Sequence, residues 1–251
     1  MKLIDKIAII TGASSGIGRA SAYLFAKEGA KIVVADIDHV GGEETVNAIK
    51  ANGGQAIFVH TDVSIAAEVE HLIKLSVEEF GKIDILYNNA GTGHGQMRVD
   101  DIGENLWDHI YAVNVKSIFL TAKYAVPKMR EAGGGTIINT ASDTGITPQP
   151  KLCAYTSSKG AVISLTKSLA AELAPDNIRV NCICPSMTDT PMLVHVPLEF
   201  KKRIASNIPL GRRLIKPEEV AYAALFFASD ESAMISGIHL TVDGGFGISK
   251  G

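Results

Sequence analysis

The segment TGASSGIG at 11–18 constrains this chain most. It stands between a short apolar run at 6–10 and a stretch at 15–28 with apolar residues at helical spacing through Ile17, Ala20, Leu24 and Phe25. A strand, a glycine turn and a helix in that order let backbone N–H groups approach a phosphate closely. Gly12, Gly16 and Gly18 carry no Cβ, and a helix N-terminus favours negative charge. A glycine trio alone also describes an ordinary tight turn, and its spacing departs from the common GxGxxG pattern, so the weight falls on the rest of the chain.

Beyond residue 28 the strand-helix pattern repeats. Apolar runs near 31–35, 56–60, 83–87, 136–140, 178–183 and 238–242 predict strands, and the stretches near 41–51, 66–80, 104–130, 153–173 and 218–227 predict helices. Strands this apolar, alternating with helices, predict an α/β fold: a mostly parallel sheet covered on both faces. With 251 residues, 46% of them hydrophobic, and no linker-like stretch, a single domain over 1–251 is expected. One segment, 185–209, interrupts the rhythm. A loop of that length is expected to contain short helices, and it follows a C-terminal strand end, where parallel sheets bind ligands. It is the candidate substrate lid.

Bulk properties narrow the partners. A formal charge of −3 lacks the positive field that nucleic acid binding needs. Cys153, Cys182 and Cys184 form neither a disulfide framework nor a four-ligand zinc pattern, and His94, His195 and His239 have no metal-ligand spacing. No metal is expected. The cysteines read as reduced thiols of a cytoplasmic protein, and no uncharged apolar run is long enough to span a bilayer. Methionine and aromatic residues read as core packing. The basic residues at 201–203, with Arg212 and Arg213, read as solvated charge, although they would also attract an acidic acyl-carrier partner.

Asp36 ends the second predicted strand, where a carboxylate suits adenosine ribose hydroxyls and repels a 2′-phosphate. No Arg or Lys stands at Ser15 or Ile37 to offset it, so NAD(H) is the expected cofactor. Asp62 and Val63 follow the third strand, placed to hold the adenine. NNAG at 88–91 ends the fourth with small residues that leave room for a cofactor and Asn side chains that tie loops down.

Tyr155 and Lys159 are one helical turn apart and share a face. A nearby ammonium favours phenolate, which brings proton transfer by Tyr155 into range, and Ser142 at the end of the fifth strand can hydrogen-bond a carbonyl or alkoxide. In alcohol oxidation Tyr155 takes the hydroxyl proton as the carbon gives up hydride; in reduction it returns the proton. Taken alone, YTSSK also fits an ordinary helical pair. Asn114 suits either a water anchor or a structurally satisfied amide.

Together, TGASSGIG, Asp36, DV at 62–63, NNAG, Asn114, Ser142, YTSSK at 155–159 and NCICPSMTDT at 181–190 resemble the classical short-chain dehydrogenase/reductase family over essentially the full chain. The resemblance implies a Rossmann-type doubly wound sheet of seven mostly parallel strands flanked by helices. It implies a catalytic tetrad of Asn114, Ser142, Tyr155 and Lys159, with Lys159 also on the nicotinamide ribose and Asn114 holding a relay water. Cofactor contacts are implied at Gly12, Ser14, Ser15, Gly16, Ile17, Gly18, Asp36, Ile37, Asp62, Val63, Asn89, Ala90, Gly91, Pro185, Thr188 and Thr190, besides Tyr155 and Lys159. Two departures stand out: Ser186 replaces the usual glycine after Pro185, and Thr188 replaces a common Ile or Val.

The expected activity is NAD(H)-dependent interconversion of a small or medium secondary alcohol and its ketone. The alternative is a 3-oxoacyl-thioester reductase, against which Asp36 argues because such reductases usually resemble NADPH-dependent enzymes. A nucleotide-sensing protein without turnover is the third class, opposed by the complete tetrad. Substrate contacts are expected from Ser142, His94, Asp143, Gln149, Leu152, Met187, Met192 and His195. Apolar residues beyond the needs of a sheet-covering helix, Ile110, Val113, Ile118 and Phe119, then Val162, Leu165, Leu169 and Leu173, point to self-association. By the resemblance this is a homotetramer.

Overall fold

The computed structural model describes residues 1–249, so residues 250–251 of the expected domain lie outside the described residues. The strands are β1 (Ile7–Thr11), β2 (Lys31–Asp36), β3 (Ala56–His60), β4 (Ile85–Asn88), β5 (Gly135–Thr140), β6 (Ile178–Pro185) and β7 (His239–Val242). They form one sheet in the order β3-β2-β1-β4-β5-β6-β7, and each neighbouring pair is parallel. The helices are α1 (Gly16–Lys27), α2 (His39–Ala51), α3 (Ala66–Phe80), α4 (Glu104–Tyr111), α5 (Ser117–Glu131), α6 (Cys153–Leu173), α7 (Leu198–Asn207) and α8 (Pro217–Ala228).

Strand sequences such as IAIIT and KIVVAD are apolar on both faces because both faces are covered. On one side Ile10, Val34, Tyr87, Ile138 and Ile183 pack with Ala22 and Phe25 of α1 and Ala224 and Phe227 of α8. On the other, Ile9, Val33, Leu86, Ile137 and Val180 meet Leu72 of α3, Ala125 and Met129 of α5 and Ala170 of α6. Burying each large aliphatic side chain contributes roughly 1.5–3 kcal/mol. The chain reverses its direction of travel across the sheet between β1 and β4. The glycine turn and NNAG therefore open into one crevice, the switch point of a doubly wound sheet.

Two expectations are corrected. The single helix foreseen over 104–130 is α4 and α5 joined by a π-turn at Ala112–Lys116, where Ser117 N–H donates to the Ala112 carbonyl. The extra residue leaves the apolar spacing nearly intact, which hides the break from a periodicity argument. Of the apolar residues assigned to self-association, Ile110, Ile118, Val162 and Leu173 are buried within the chain, because α5 packs on α3 and α4 on α6. Phe119 stays 54% exposed, and Val113, Leu165 and Leu169 are partly exposed.

The segment after β6 holds a 3-10 turn, Pro191–Leu193, and α7. Its base is closed by a parallel bridge between Thr188 and Ile215, with Asp189 N–H donating to Ile215 O at 2.9 Å and Ile215 N–H to Met187 O at 3.1 Å.

Candidate active site

The glycine turn is built by contacts that leave no space for side chains. Gly12 and Gly16 have φ of +66° and +53°, and a Cβ on Gly12 would stand 2.9 Å from Ala90 Cα. A Cβ on Gly18 would overlap the Gly12 carbonyl. Thr11 Oγ1 accepts from the N–H groups of Asn89 and Ala90, each at 3.0 Å, while Asn89 Nδ2 donates to Thr11 O at 3.0 Å and Gly12 O at 3.2 Å. The ends of β1 and β4 are thus locked to each other. Ser15, extended at the N-cap of α1, does not cap the helix with its side chain, and the first turn carries no acidic residue. An open helix N-terminus beside a glycine cradle fits the pyrophosphate of a dinucleotide. The segment after β6 reaches the same place: a Cβ on Gly16 would press on Thr190 Cγ2 at 3.1 Å.

Asp36 Oδ2 accepts from Ser14 N–H at 2.9 Å and Oδ1 from Asp38 N–H at 3.0 Å. These backbone donors fix the carboxylate, and its remaining lone pairs suit ribose hydroxyls. Thr45 Oγ1 donates to Ala13 O at 3.1 Å and fastens α2 to the turn. Asp62 Oδ1 accepts from Ser64 N–H and Oγ at 2.8 and 2.7 Å, so part of this carboxylate serves its own loop. Val63 is buried and Ile37 is 65% exposed.

At the reacting end, Lys159 is buried and its Nζ donates to Thr140 O at 2.8 Å. Gly91 makes room there, since a Cβ would stand 3.3 Å from Lys159 Nζ and 3.4 Å from Asn114 Oδ1. Lys159 Nζ lies over the Tyr155 ring, 5.7 Å from its centroid. Burial pushes Tyr155 up to about 12 against a lowering hydrogen bond with Ser142, and burial brings Lys159 down to about 8. Burial disfavours the charged form of each group, so the phenol is pushed up and the ammonium down.

Asn114, in the π-turn, uses its side chain within the fold. Its Oδ1 accepts from Thr92 N–H at 2.8 Å, and Nδ2 donates to Thr92 O at 2.9 Å and Ser158 Oγ at 3.0 Å. The amide ties the loop after NNAG to α6.

The expected substrate residues part company. Met187 packs against the core, because the Thr188–Ile215 bridge holds its backbone over that layer. His94 Nδ1 lies 2.6 Å from Gly95 O and its Nε2 accepts from Tyr155 N–H at 3.4 Å, so the ring meets the first turn of α6. Asp143 is buried, with Oδ1 accepting from Ser142 Oγ at 3.2 Å. Leu152 is the N-cap residue of α6, and Leu152 and Gln149 are partly exposed. Met192 and His195 are exposed on the segment after β6, and Pro185 and Thr188 are buried at its base. Sequence reasoning missed Thr11, Thr140 and Thr144; Thr11 and Thr140 act from strand ends, where small polar residues close an apolar run.

The chain is similar to known proteins over nearly its whole length. The family model described as enoyl-(acyl carrier protein) reductase matches residues 12–247. An uncharacterized oxidoreductase of Thermotoga maritima is 42% identical over 252 residues and 98% of both chains. A 2,5-dichloro-2,5-cyclohexadiene-1,4-diol dehydrogenase of Sphingobium indicum is 39% identical, again over 98% of each. The solved 3-ketoacyl-(acyl-carrier-protein) reductase of Brucella melitensis, complexed with NADH, matches with a TM-score of 0.92 and 40% identity, over 98% of this chain and 99% of that one. The chain belongs to the classical short-chain dehydrogenase/reductase family and is an oxidoreductase of that family.

Proposed function

We propose that this chain is an NAD(H)-dependent oxidoreductase that interconverts a small or medium secondary alcohol and its ketone, with Tyr155 as general acid/base. The observation that carries this reading is the meeting of Tyr155, Lys159 and Ser142 beside a glycine cradle whose ribose end holds the carboxylate of Asp36. Bound NAD supplies the hydride acceptor, or as NADH the donor. Gly12, Ser14, Ser15, Gly16, Ile17 and Gly18 would hold the phosphates, Asp36 and Ile37 flank the ribose, Asp62 and Val63 the adenine, and Asn89, Ala90, Gly91, Pro185, Thr188 and Thr190 the nicotinamide side. Ser142 orients the substrate oxygen, Tyr155 donates or takes its proton, and Lys159 holds the reacting end through Thr140.

The segment 185–209 acts as the lid. Met192, Val194 and Leu198, all exposed there, supply an apolar wall that suits a small neutral substrate. The diol dehydrogenase relative supports an alcohol of this kind. A 3-oxoacyl-thioester reductase remains the second reading, favoured by the Brucella enzyme. That reductase was solved with NADH, so Asp36 does not separate the two readings as its charge alone would suggest. A panel of cyclic alcohols, diols, neutral ketones and 3-oxoacyl thioesters, compared by kcat/KM with NAD(H), decides between them. We expect a secondary alcohol or its ketone to lead; a leading thioester sinks that assignment.

The same reading includes a cytoplasmic homotetramer without nucleic acid or membrane partners. The free cysteines suit a reducing compartment, and Phe119 with Trp107, exposed on α5 and α4, supports contact between copies. Among the described residues no helix is long and apolar enough to cross a membrane.

A further inference from the structure

Tyr155 is the third residue of α6, within the turn where a helix has N–H groups but no preceding carbonyls to receive them. The usual remedy is a side-chain oxygen on the N-cap residue, and here that residue is Leu152, which has none. The acceptor comes instead from the loop after β4: Tyr155 N–H donates to Nε2 of His94 at 3.4 Å. The other ring nitrogen of His94, Nδ1, lies 2.6 Å from Gly95 O. A carbonyl can only accept and a peptide N–H can only donate, so the two contacts together put the hydrogen on Nδ1 and the lone pair on Nε2.

The same loop grips Tyr155 through its other peptide group. Ser158 Oγ donates to Tyr155 O at 2.7 Å and accepts from Asn114 Nδ2 at 3.0 Å, and Asn114 is bonded in turn to both backbone groups of Thr92. Further along, Met97 N–H donates to Lys151 O at 2.9 Å, just ahead of the helix. Between these anchors the loop passes close to the phenol ring, since a Cβ on Gly93 would stand 3.5 Å from Tyr155 Cδ2.

We propose that His94, as its neutral Nδ1–H tautomer, is a positioning residue that caps α6 at Tyr155 from the loop 92–97 and so fixes the direction of the phenol. The proposal rests on the reading of Tyr155 as the acid/base. It differs from the sequence expectation, in which His94 contacts the substrate, because both ring nitrogens are already bonded within the protein. A lone pair at this end of α6 also meets the positive end of the helix dipole, where an N–H would be repelled. Loosening the cap would misdirect the reacting group and cost rate, while the glycine turn that holds the cofactor stays as it is.

Nitrogen NMR of isotope-labelled histidine, with the His94 signals assigned by their loss in His94→Gln, reads the tautomer directly. We expect a protonated Nδ1 and a bare Nε2; a protonated Nε2 overturns the proposal. Kinetics give the second readout. His94→Phe keeps the bulk of a ring and removes the acceptor, and should lower kcat about tenfold while the alcohol KM and the NADH affinity stay within about twofold. His94→Gln offers an amide oxygen near the place of Nε2 and should recover most of that loss. An unchanged kcat in His94→Phe, with a raised KM or without, overturns the proposal, and so does an equal loss of kcat in both variants. The tautomer is measured without substrate, so it stands or falls apart from the acid/base assignment, which normal turnover by Tyr155→Phe would break.

Discussion

The nucleotide end and the lid lie at the same edge of the sheet and are built in opposite ways. At the glycine turn, Thr11 and Asn89 exchange four hydrogen bonds with the backbone of the facing strand end, and Thr45 adds another from α2. The segment 185–209, the proposed lid, carries Met192, Val194 and Leu198 at 59%, 70% and 64% exposure, and is held at its base by the Thr188–Ile215 bridge. The first region is over-determined and admits one geometry, as a cofactor common to many substrates requires. The second has few buried contacts, and that is the end of the stability range from which binding segments are drawn. On the proposed function, cofactor chemistry is therefore written in close packing, and substrate choice in a loosely held surface.

Breaking the tight end should have the largest effect. Gly18→Ala would force a Cβ into the Gly12 carbonyl, and we expect a loss of about 3 kcal/mol in stability with at least roughly tenfold weaker NADH binding. Thermal melting and fluorescence titration read the two effects; unchanged values would mean that the turn is slack.

A second test separates function from stability inside the same crevice. Lys159 is brought down to about 8 from its ordinary 10.5 by burial. Below pH 8 both folded and unfolded chains carry its proton, and the cost of the buried charge is fully present. Between about 8 and 10.5 the unfolded chain binds more protons, so stability rises with pH. Lys159→Met should therefore be more stable than the parent near pH 7 by on the order of 2–3 kcal/mol, with an advantage that shrinks above pH 8, while turnover collapses. Melting curves across that pH range check the sign. A less stable Lys159→Met at pH 7 would contradict it.

The smallest effect is expected at the lid. Met192→Ala with Leu198→Ala should raise KM by roughly threefold to tenfold, with little change in kcat or melting temperature, because exposed side chains contribute little until a substrate covers them. A large drop in melting temperature would show that the lid is packed as firmly as the turn.

The same contrast explains what is legible in the sequence. Strands buried on both faces must be apolar throughout, so the alternation of strand and helix reveals the sheet in the residues themselves. Gly12, Gly16 and Gly18 are required by close approach, and close approach leaves a mark in residue type. The π-turn at Asn114 leaves none, since one inserted residue hardly alters apolar spacing. Side-chain direction is equally silent. Met187 and Asp143 stand near the reacting residues in the chain, yet one turns into the core and the other onto Ser142. Ile110 and Val162 resemble spare surface in the sequence because the mutual packing of α4 and α6 is a tertiary fact.

The central claim is that Tyr155 moves the proton while a tightly held dinucleotide exchanges hydride. Tyr155→Phe keeps the ring and deletes the transferable hydrogen, so NADH affinity by fluorescence titration and steady-state turnover of the preferred alcohol should be measured together on this variant. We expect NADH binding within about twofold of the parent and a loss of turnover of at least roughly a hundredfold. Turnover near the parent value, with NADH still bound, would contradict the claim.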